Sequence, residues 1–216
     1  MNVAIIGTGN VGKALAGAMS RAGHSVVVTS SEYEHAAELA EAVGARASGS
    51  NAEAAAGADV VILAIPFTAT EEVAAEIRSA VAGKPVVDVS NRMSFGAAGP
   101  SMDLAESNAE RLAAWLPDAS VVKAFNTLFA SRQADPLAEG TRLDGFVAGD
   151  DADAKAKVIA LVESIGLNPV DVGPLARAQQ LEQLAFLNIA LNATTNGSWT
   201  SGWKLVGAPA TVRVAA

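Results

Sequence analysis

The residues with the clearest chemical purpose stand near the start of the chain. Gly7-Thr8-Gly9-Asn10-Val11-Gly12 directly follows the apolar run Val3-Ala4-Ile5-Ile6 and opens a stretch of helical spacing, in which Val11, Leu15, Ala18 and Met19 recur up to Arg21. In a strand-to-helix turn of this kind the first glycine permits the tight turn. The second leaves the backbone bare for a pyrophosphate, and the third lets helix and strand pack closely. The helix start adds unpaired N–H groups and the positive end of the helix dipole, so the segment suits an anionic dinucleotide. A glycine-rich turn without a ligand is the plain alternative. The order strand, motif, helix, second strand argues against it.

The end of the second strand should decide between dinucleotides, because a carboxylate there accepts from the ribose 2′-hydroxyl of NAD. Here the residues are Thr29-Ser30-Ser31. With no carboxylate and with hydroxyls able to donate to a 2′-phosphate, the expected cofactor is NADP, and His35 is a further candidate contact. No arginine follows to grip that phosphate through two bonds, and Ser30 and Ser31 can equally begin a turn or cap the helix entered at Tyr33.

Ligands in open α/β sheets bind beyond the carboxyl ends of the strands. Ala64-Ile65-Pro66-Phe67 is therefore expected to line the ribose and nicotinamide, with Asp88-Val89-Ser90-Asn91 and Lys123-Ala124-Phe125-Asn126-Thr127 offering polar groups nearby. Ala64, Ile65, Pro66, Ser90, Asn91 and Asn126 join the glycine turn as candidate cofactor contacts. Against this, Asp88 and Asn91 can simply organise a turn, and Lys123 can be a strand-end surface charge. Spacing alone assigns no residue a catalytic role.

Other chemistries are narrowed by composition. The chain has no cysteine, which removes thiolate nucleophiles, disulfides and cysteine-based metal sites. His24 and His35 fall in different elements without metal-ligand spacing, so no metal site is expected. A formal net charge of −8 opposes nucleic acid and anionic membrane surfaces as partners. Met1-Asn2 leads straight into a strand without the basic start and apolar core of a signal peptide, so a cytoplasmic location is expected. The most apolar run, Val60 to Phe67, is too short to span a bilayer.

The elements that must position these residues follow from periodicity. Strands are expected at Val3 to Ile6, Ser25 to Thr29, Ala45 to Ala47, Asp59 to Ile65, Pro85 to Val89, Ser120 to Ala124, Gly145 to Ala148 and Leu167 to Val172, the last an edge strand because it contains Pro169. Helices are expected at Val11 to Arg21, Tyr33 to Val43, Asn51 to Ala56, Thr68 to Ala80, Leu104 to Leu116 and Asp151 to Ile165. Ser90 to Pro100 reads as irregular. Alternation of this kind implies an α/β fold of the Rossmann type, a doubly wound, mostly parallel sheet over 1–172. A small C-terminal helical region over 173–216 follows, dominated by a nearly apolar helix from Leu175 to Ala193. A helix that apolar must be buried, and in a chain of 216 residues a second copy is a natural cover, so a homodimer is expected.

These motifs together resemble the NADPH-dependent coenzyme F-420 reductases, also called F-420-dependent NADP oxidoreductases. The resemblance spans nearly the whole chain. It rests on Ile6 to Gly12, on Ala64-Ile65-Pro66, on Val87-Asp88-Val89-Ser90-Asn91, on Val122-Lys123-Ala124-Phe125-Asn126-Thr127, and on Gly173-Pro174-Leu175-Ala176-Arg177 leading into the long helix. It implies hydride transfer between NADPH and an 8-hydroxy-5-deazaflavin in a cleft between the Rossmann domain and the C-terminal helix. It also implies that Thr8, Gly9, Asn10 and Val11 contact the pyrophosphate, Ser30 and Ser31 the 2′-phosphate side, and Ile65 and Pro66 the nicotinamide. The chain departs from the family where members carry Ser-Arg and a later Lys, having Ser30-Ser31 and His35, and where some carry His, having Asn126. Hydride transfer mainly requires donor and acceptor carbons to be held at attack distance without water, which suits a chain lacking a strong nucleophile. Two further readings stay open: reduction of a flavin or another small acceptor by NADPH, and a dinucleotide-binding sensor without chemistry.

Overall fold

The computed structural model describes residues 1–97, 99–102 and 105–207. The first half runs β1 (Asn2–Ile6), α1 (Asn10–Arg21), β2 (Ser25–Thr29), α2 (Tyr33–Val43), β3 (Arg46–Ala47), α3 (Asn51–Ala56) and β4 (Val60–Leu63). A 3-10 turn (Phe67–Ala69) then leads into α4 (Thr70–Ile77) and β5 (Pro85–Asp88). Local chemistry sets several boundaries. Gly23, at φ 84°, follows α1 and lets the amides of Gly23 and His24 reach the carbonyls of Ser20 and Met19. The Ser50 hydroxyl accepts from the Glu53 amide to start α3.

The second half comprises β6 (Met93–Gly96), β7 (Gly99–Met102), α5 (Asn108–Trp115), β8 (Ser120–Ala124), α6 (Ala130–Ala134), β9 (Leu137–Ala138), β10 (Thr141–Arg142), β11 (Asp144–Gly149), α7 (Ala152–Ser164) and β12 (Asn168–Gly173). A second 3-10 turn (Leu175–Arg177) then enters α8 (Ala178–Thr195). Reciprocal bonds between Ser107 and Glu110 fix the start of α5, and the Asp151 carboxylate caps α7.

The main sheet has the order β3-β2-β1-β4-β5-β8-β11-β12. All its pairings are parallel except β11 with β8. Strand β12, with Pro169, lies at an edge as expected. Successive residues of the central strands point to opposite faces: Val3, Ile5, Val60 and Ile62 enter one core, and Ala4, Ile6, Val61 and Leu63 the other. The order of strands reverses between β1 and β4, which leaves a crevice at their carboxyl ends. The fold is thus a Rossmann-type α/β sandwich with a C-terminal helix. Among the described residues no helix is long and apolar enough to cross a membrane.

Four expectations need correction. The segment expected to be irregular contains the hairpin β6–β7, with Gly99 at φ 100° in its turn and the Ser94 and Ser101 hydroxyls 2.9 Å apart across it. Glycine and Pro100 shape that turn rather than forbid pairing. Helix α5 starts at Asn108, while Leu104, where a helix was expected to begin, lies outside the described residues, as do 208–216 of the C-terminal region. Short elements α6, β9 and β10 were not expected at all. Finally, α8 buries Glu182, Asn188 and Asn192 beside Leu181 and Ala185, whereas Leu187 and Leu191 are each 50 % exposed. The apolar count left the helix little polar face, yet its buried side carries these polar groups.

Candidate active site

The glycine turn is built by close packing. Gly7 has φ 112° and donates its amide to the Thr29 carbonyl at 2.9 Å, and a Cβ added to it would sit 2.3 Å from the Ala64 carbonyl oxygen. At Gly12 an added Cβ would lie 2.0 Å from the Gly7 oxygen. Gly9 differs: a Cβ there meets nothing within 4 Å. It is the N-cap of α1 and has no capping side chain, so the open space faces the unpaired amides of a helix start. That cradle fits a pyrophosphate, and a side chain at Gly9 would enter it.

Around this turn a cleft of about 580 Å³ is lined by Gly7, Thr8, Gly9, Ser30, Ser31, His35, Ala64, Ile65 and Pro66. The Thr8 hydroxyl donates to the Ser30 hydroxyl at 3.1 Å, which joins the phosphate turn to the end of β2. The sequence reading missed Glu32, Asn51, Glu72 and Glu76 in the same wall. Thr29 is buried, and its hydroxyl donates to Asn51 Oδ1 at 2.6 Å, while the Asn51 amide donates to Glu76 at 2.6 Å. Thr29 and Gly12 therefore shape the cleft from beneath, whereas every other expected contact except Asn126 lines it or its continuation. Lys13 shares a neighbouring groove with Thr8 and His35 and brings a cation to this acidic end.

The cleft continues past Gly9, Asn10, Val11, Ala64, Ile65 and Pro66 to Ser90 and Asn91. Asn10, Val11 and Asn91 also border a second cleft of about 650 Å³, reached by Asn126 and by Ala185, Asn188 and Ile189 of α8. Its outer wall is aromatic: the Phe129 and Trp199 rings meet edge to face, with centroids 5.3 Å apart. Trp199 has φ 56°, a left-handed conformation costly for a bulky residue. Its amide donates to Asn192 at 3.0 Å and its carbonyl accepts from Ser131 at 2.7 Å, which holds the strained segment against α6 and α8.

The floor of the second cleft is polar. Asn126 Oδ1, Thr127 Oγ1 and Gln133 Oε1 are buried and have no protein partner. Such atoms are costly unless a ligand or water completes them. Asn126 itself is held by donating to Asn91 Oδ1 at 2.9 Å, and Asn91 donates back to the Asn126 carbonyl at 3.3 Å. Among the described residues Lys13 is the one titratable side chain lining this cleft.

Beneath both clefts lies a group of charges that sequence reasoning treated as ordinary. Lys123 has no exposed surface, so it is not a surface charge. Its ammonium donates to Asp88 Oδ2 at 2.7 Å, to Glu182 Oε1 at 2.7 Å and to the Ser90 carbonyl at 2.5 Å. Asp88 Oδ1 accepts from the amide and hydroxyl of Ser90 and from Asn108 Nδ2. Glu182 also accepts from the backbone amides of Asn108 and Arg92, at 2.8 and 3.1 Å. The signal in the sequence was a lone glutamate on the helical face Ala178, Leu181, Glu182, Ala185, Asn188, Asn192.

Comparison with known proteins agrees with this geometry. The family described as NADP oxidoreductase, coenzyme F420-dependent, matches residues 2–92. An F420-dependent NADP reductase of Methanothermobacter marburgensis is 33% identical over 208 residues, covering 89% of this chain and 92% of that protein. The chain belongs to the coenzyme F420-dependent NADP oxidoreductase family. As a member it is an NADP-dependent oxidoreductase. The family fold extends to a crystal structure from Arthrobacter sp. FB24, provisionally called an F420-dependent NADP reductase, with TM-score 0.85 and 28% identity over 95% of this chain and 99% of that one. The rat metalloreductase STEAP3 is 33% identical over 84% of this chain, which corresponds to 36% of its own length.

Proposed function

We propose that the protein transfers a hydride between NADPH and a deazaflavin carrier of the coenzyme F420 type. The observation that supports this most is the second cleft, which adjoins the dinucleotide cleft through Asn10, Val11 and Asn91. Among the described residues it offers an aromatic wall, a floor with the unpartnered oxygens of Asn126, Thr127 and Gln133, and no carboxylate or imidazole lining it. Such walls suit a flat heterocycle whose edge carries hydrogen-bonding groups, and they supply neither nucleophile nor general acid other than Lys13.

In this reading NADPH supplies the hydride, and the chain's part is positional. Thr8, Gly9, Asn10 and Val11 hold the pyrophosphate at the start of α1, and Ser30, Ser31 and His35 face the 2′-phosphate. Ile65, Pro66, Ser90 and Asn91 border the nicotinamide, while Asn126 and Gln133 orient the acceptor edge. The apolar walls exclude water from the transfer. Residues 1–172 would serve as the dinucleotide-binding domain and 173–216 as the region closing the cleft. The exposed Leu187 and Leu191 on α8 support a homodimer, and a cytoplasmic location suits the substrates.

Mixing the protein with reduced coenzyme F420 and NADP, then following reduced nicotinamide by absorbance, tests the reading. Turnover with NADP and much slower turnover with NAD is the expected result. The match to a metalloreductase favours a second reading, reduction of a flavin or another small acceptor by NADPH. Dinucleotide binding with turnover on riboflavin-type acceptors, and none on the deazaflavin, would select it.

A further inference from the structure

The buried charges under the two clefts are costly features that the proposed chemistry does not itself use. Lys123, Asp88 and Glu182 are each at most 1 % exposed. Ion pairs this deep are often replaced by apolar residues with no loss of stability, so their presence points to something other than stability. What they do is visible in their partners. Lys123 holds the carbonyl of Ser90, and Glu182 holds the amide of Arg92. The peptides on either side of Asn91 are therefore gripped from below, one from β8 and one from α8. Asp88 adds a third hold through the Ser90 amide and hydroxyl.

Asn91 borders both the nicotinamide end of the dinucleotide cleft and the acceptor cleft, and it pairs with Asn126 across them. At the adenosine end Ser30 and Ser31 follow β2 and Thr8 lies in the glycine turn, Thr8 and Ser30 bond to each other, and the network comes near only through the Asn108 amide on Thr70 of α4. We propose that Lys123 and Glu182 are positioning residues for hydride transfer, which lock the Ser90–Arg92 segment so that Asn91 registers the nicotinamide against the acceptor ring. Because Glu182 rides on α8, the same lock fixes the helix that walls the acceptor cleft. Every donor of the Lys123 ammonium and both oxygens of Glu182 are engaged, so loss of either partner leaves buried groups unpaired and loosens the segment on one side of Asn91.

The rate readout of this inference rests on the proposed hydride transfer, but its binding readout does not. Glu182→Gln keeps the shape of the side chain while presenting an amide N–H to a backbone donor, and Lys123→Met/Glu182→Gln removes both members of the Lys123–Glu182 pair together, Asp88 keeping its Ser90 and Asn108 donors. Affinities are measured by calorimetry for NADPH and for 2′,5′-ADP, which lacks the nicotinamide half. Thermal melts confirm that each variant is folded. With kcat for the deazaflavin measured in parallel, the expected result is a kcat lower by about 10- to 100-fold and NADPH affinity weaker by about tenfold, with 2′,5′-ADP affinity unchanged within about twofold. A folded Glu182→Gln protein with unaltered kcat and NADPH affinity would overturn the proposal. So would parallel loss of NADPH and 2′,5′-ADP affinity, since that marks a role in the fold alone; if Glu182→Gln does not fold, the double variant is judged by the same two criteria. Absence of turnover in the wild-type protein would count against the deazaflavin reading, while the ratio of the two affinities would still judge the network.

Discussion

The two halves of the cleft are made of different material. The dinucleotide half depends on backbone: Gly7 and Gly12 are close-packed against Ala64 and Gly7 carbonyls, and bare space lies over Gly9. The acceptor half depends on side chains: the Lys123–Asp88–Glu182 group, the Asn91–Asn126 pair, and the Asn188 and Asn192 amides that tether the segment carrying Trp199. On the proposed function the difference follows from what each half would recognise. An anionic pyrophosphate is satisfied by amides at a helix start, which any sequence supplies if no Cβ intrudes. A pair of rings has to be held in register, and only fixed side chains can do that.

The comparison breaks most sharply at Gly9. Gly9→Val should weaken NADP binding by about 100-fold or more, because the new side chain fills the pyrophosphate space, while the melting temperature stays close to that of the parent. Gly9 has ordinary backbone angles (φ −68°, ψ −174°), so the fold tolerates valine there. Calorimetry and a thermal melt check both halves of the statement, and wild-type affinity in Gly9→Val would show that backbone is not what holds the phosphate. The tether of the C-terminal segment that follows Trp199 should fail in the opposite way. Asp144 is fully buried and accepts from Lys204 at 2.6 Å, from Asn168 at 2.6 Å and from the Leu205 amide. Asp144→Ala leaves those donors without their acceptor and should cost about 2 kcal/mol in urea unfolding, with NADP affinity preserved. Loss of NADP affinity in proportion to stability would mean the halves are not separable.

How much of this was legible in the sequence differs along the same divide. Strand and helix alternation placed β2, α2, α3 and β8 at their observed residues, because apolar runs and glycine caps report local physics directly. The glycine turn was legible for the same reason. Of the acceptor half the residues alone offered Asn91 and Asn126, since its other defining contacts join residues far apart, as Lys123 joins Asp88 and Glu182. Counting leucines left α8 little polar face, yet its inward face holds Glu182, Asn188 and Asn192, satisfied by partners that only the tertiary fold brings. Elements as short as α6 and β9 lack a full period, and hairpin β6–β7 was hidden by the glycines that form its turn.

A smaller effect sharpens the dinucleotide side. Ser31 lines the first cleft beside Glu32, Glu72 and Glu76, at the end proposed for the adenosine. Ser31→Arg should raise the NADP to NAD affinity ratio by about tenfold, because a guanidinium gains a two-bond grip on the 2′-phosphate. An unchanged ratio in paired titrations would place that phosphate elsewhere, and would shift attention to Lys13 and His35 in the adjoining groove.

The smallest expected effect lies outside both halves and serves as their control. His24 follows α1, with Nε2 2.8 Å from the Ser164 hydroxyl and Nδ1 3.4 Å from the Met1 amino group. Burial, and then the positive amino terminus, lower its pKa from the ordinary 6.5. A histidine whose pKa is depressed by folding binds fewer protons folded than unfolded as pH falls past 6.5. Its contribution to stability is therefore present above that value and is lost as pH drops through the lowered one. Urea midpoints should fall modestly on acidification from neutrality, and His24→Gln should flatten that slope while leaving NADP affinity and turnover as they are. If His24→Gln instead changed turnover, the far end of the sheet would be coupled to the cleft, and the division of labour between the two halves would need a third participant.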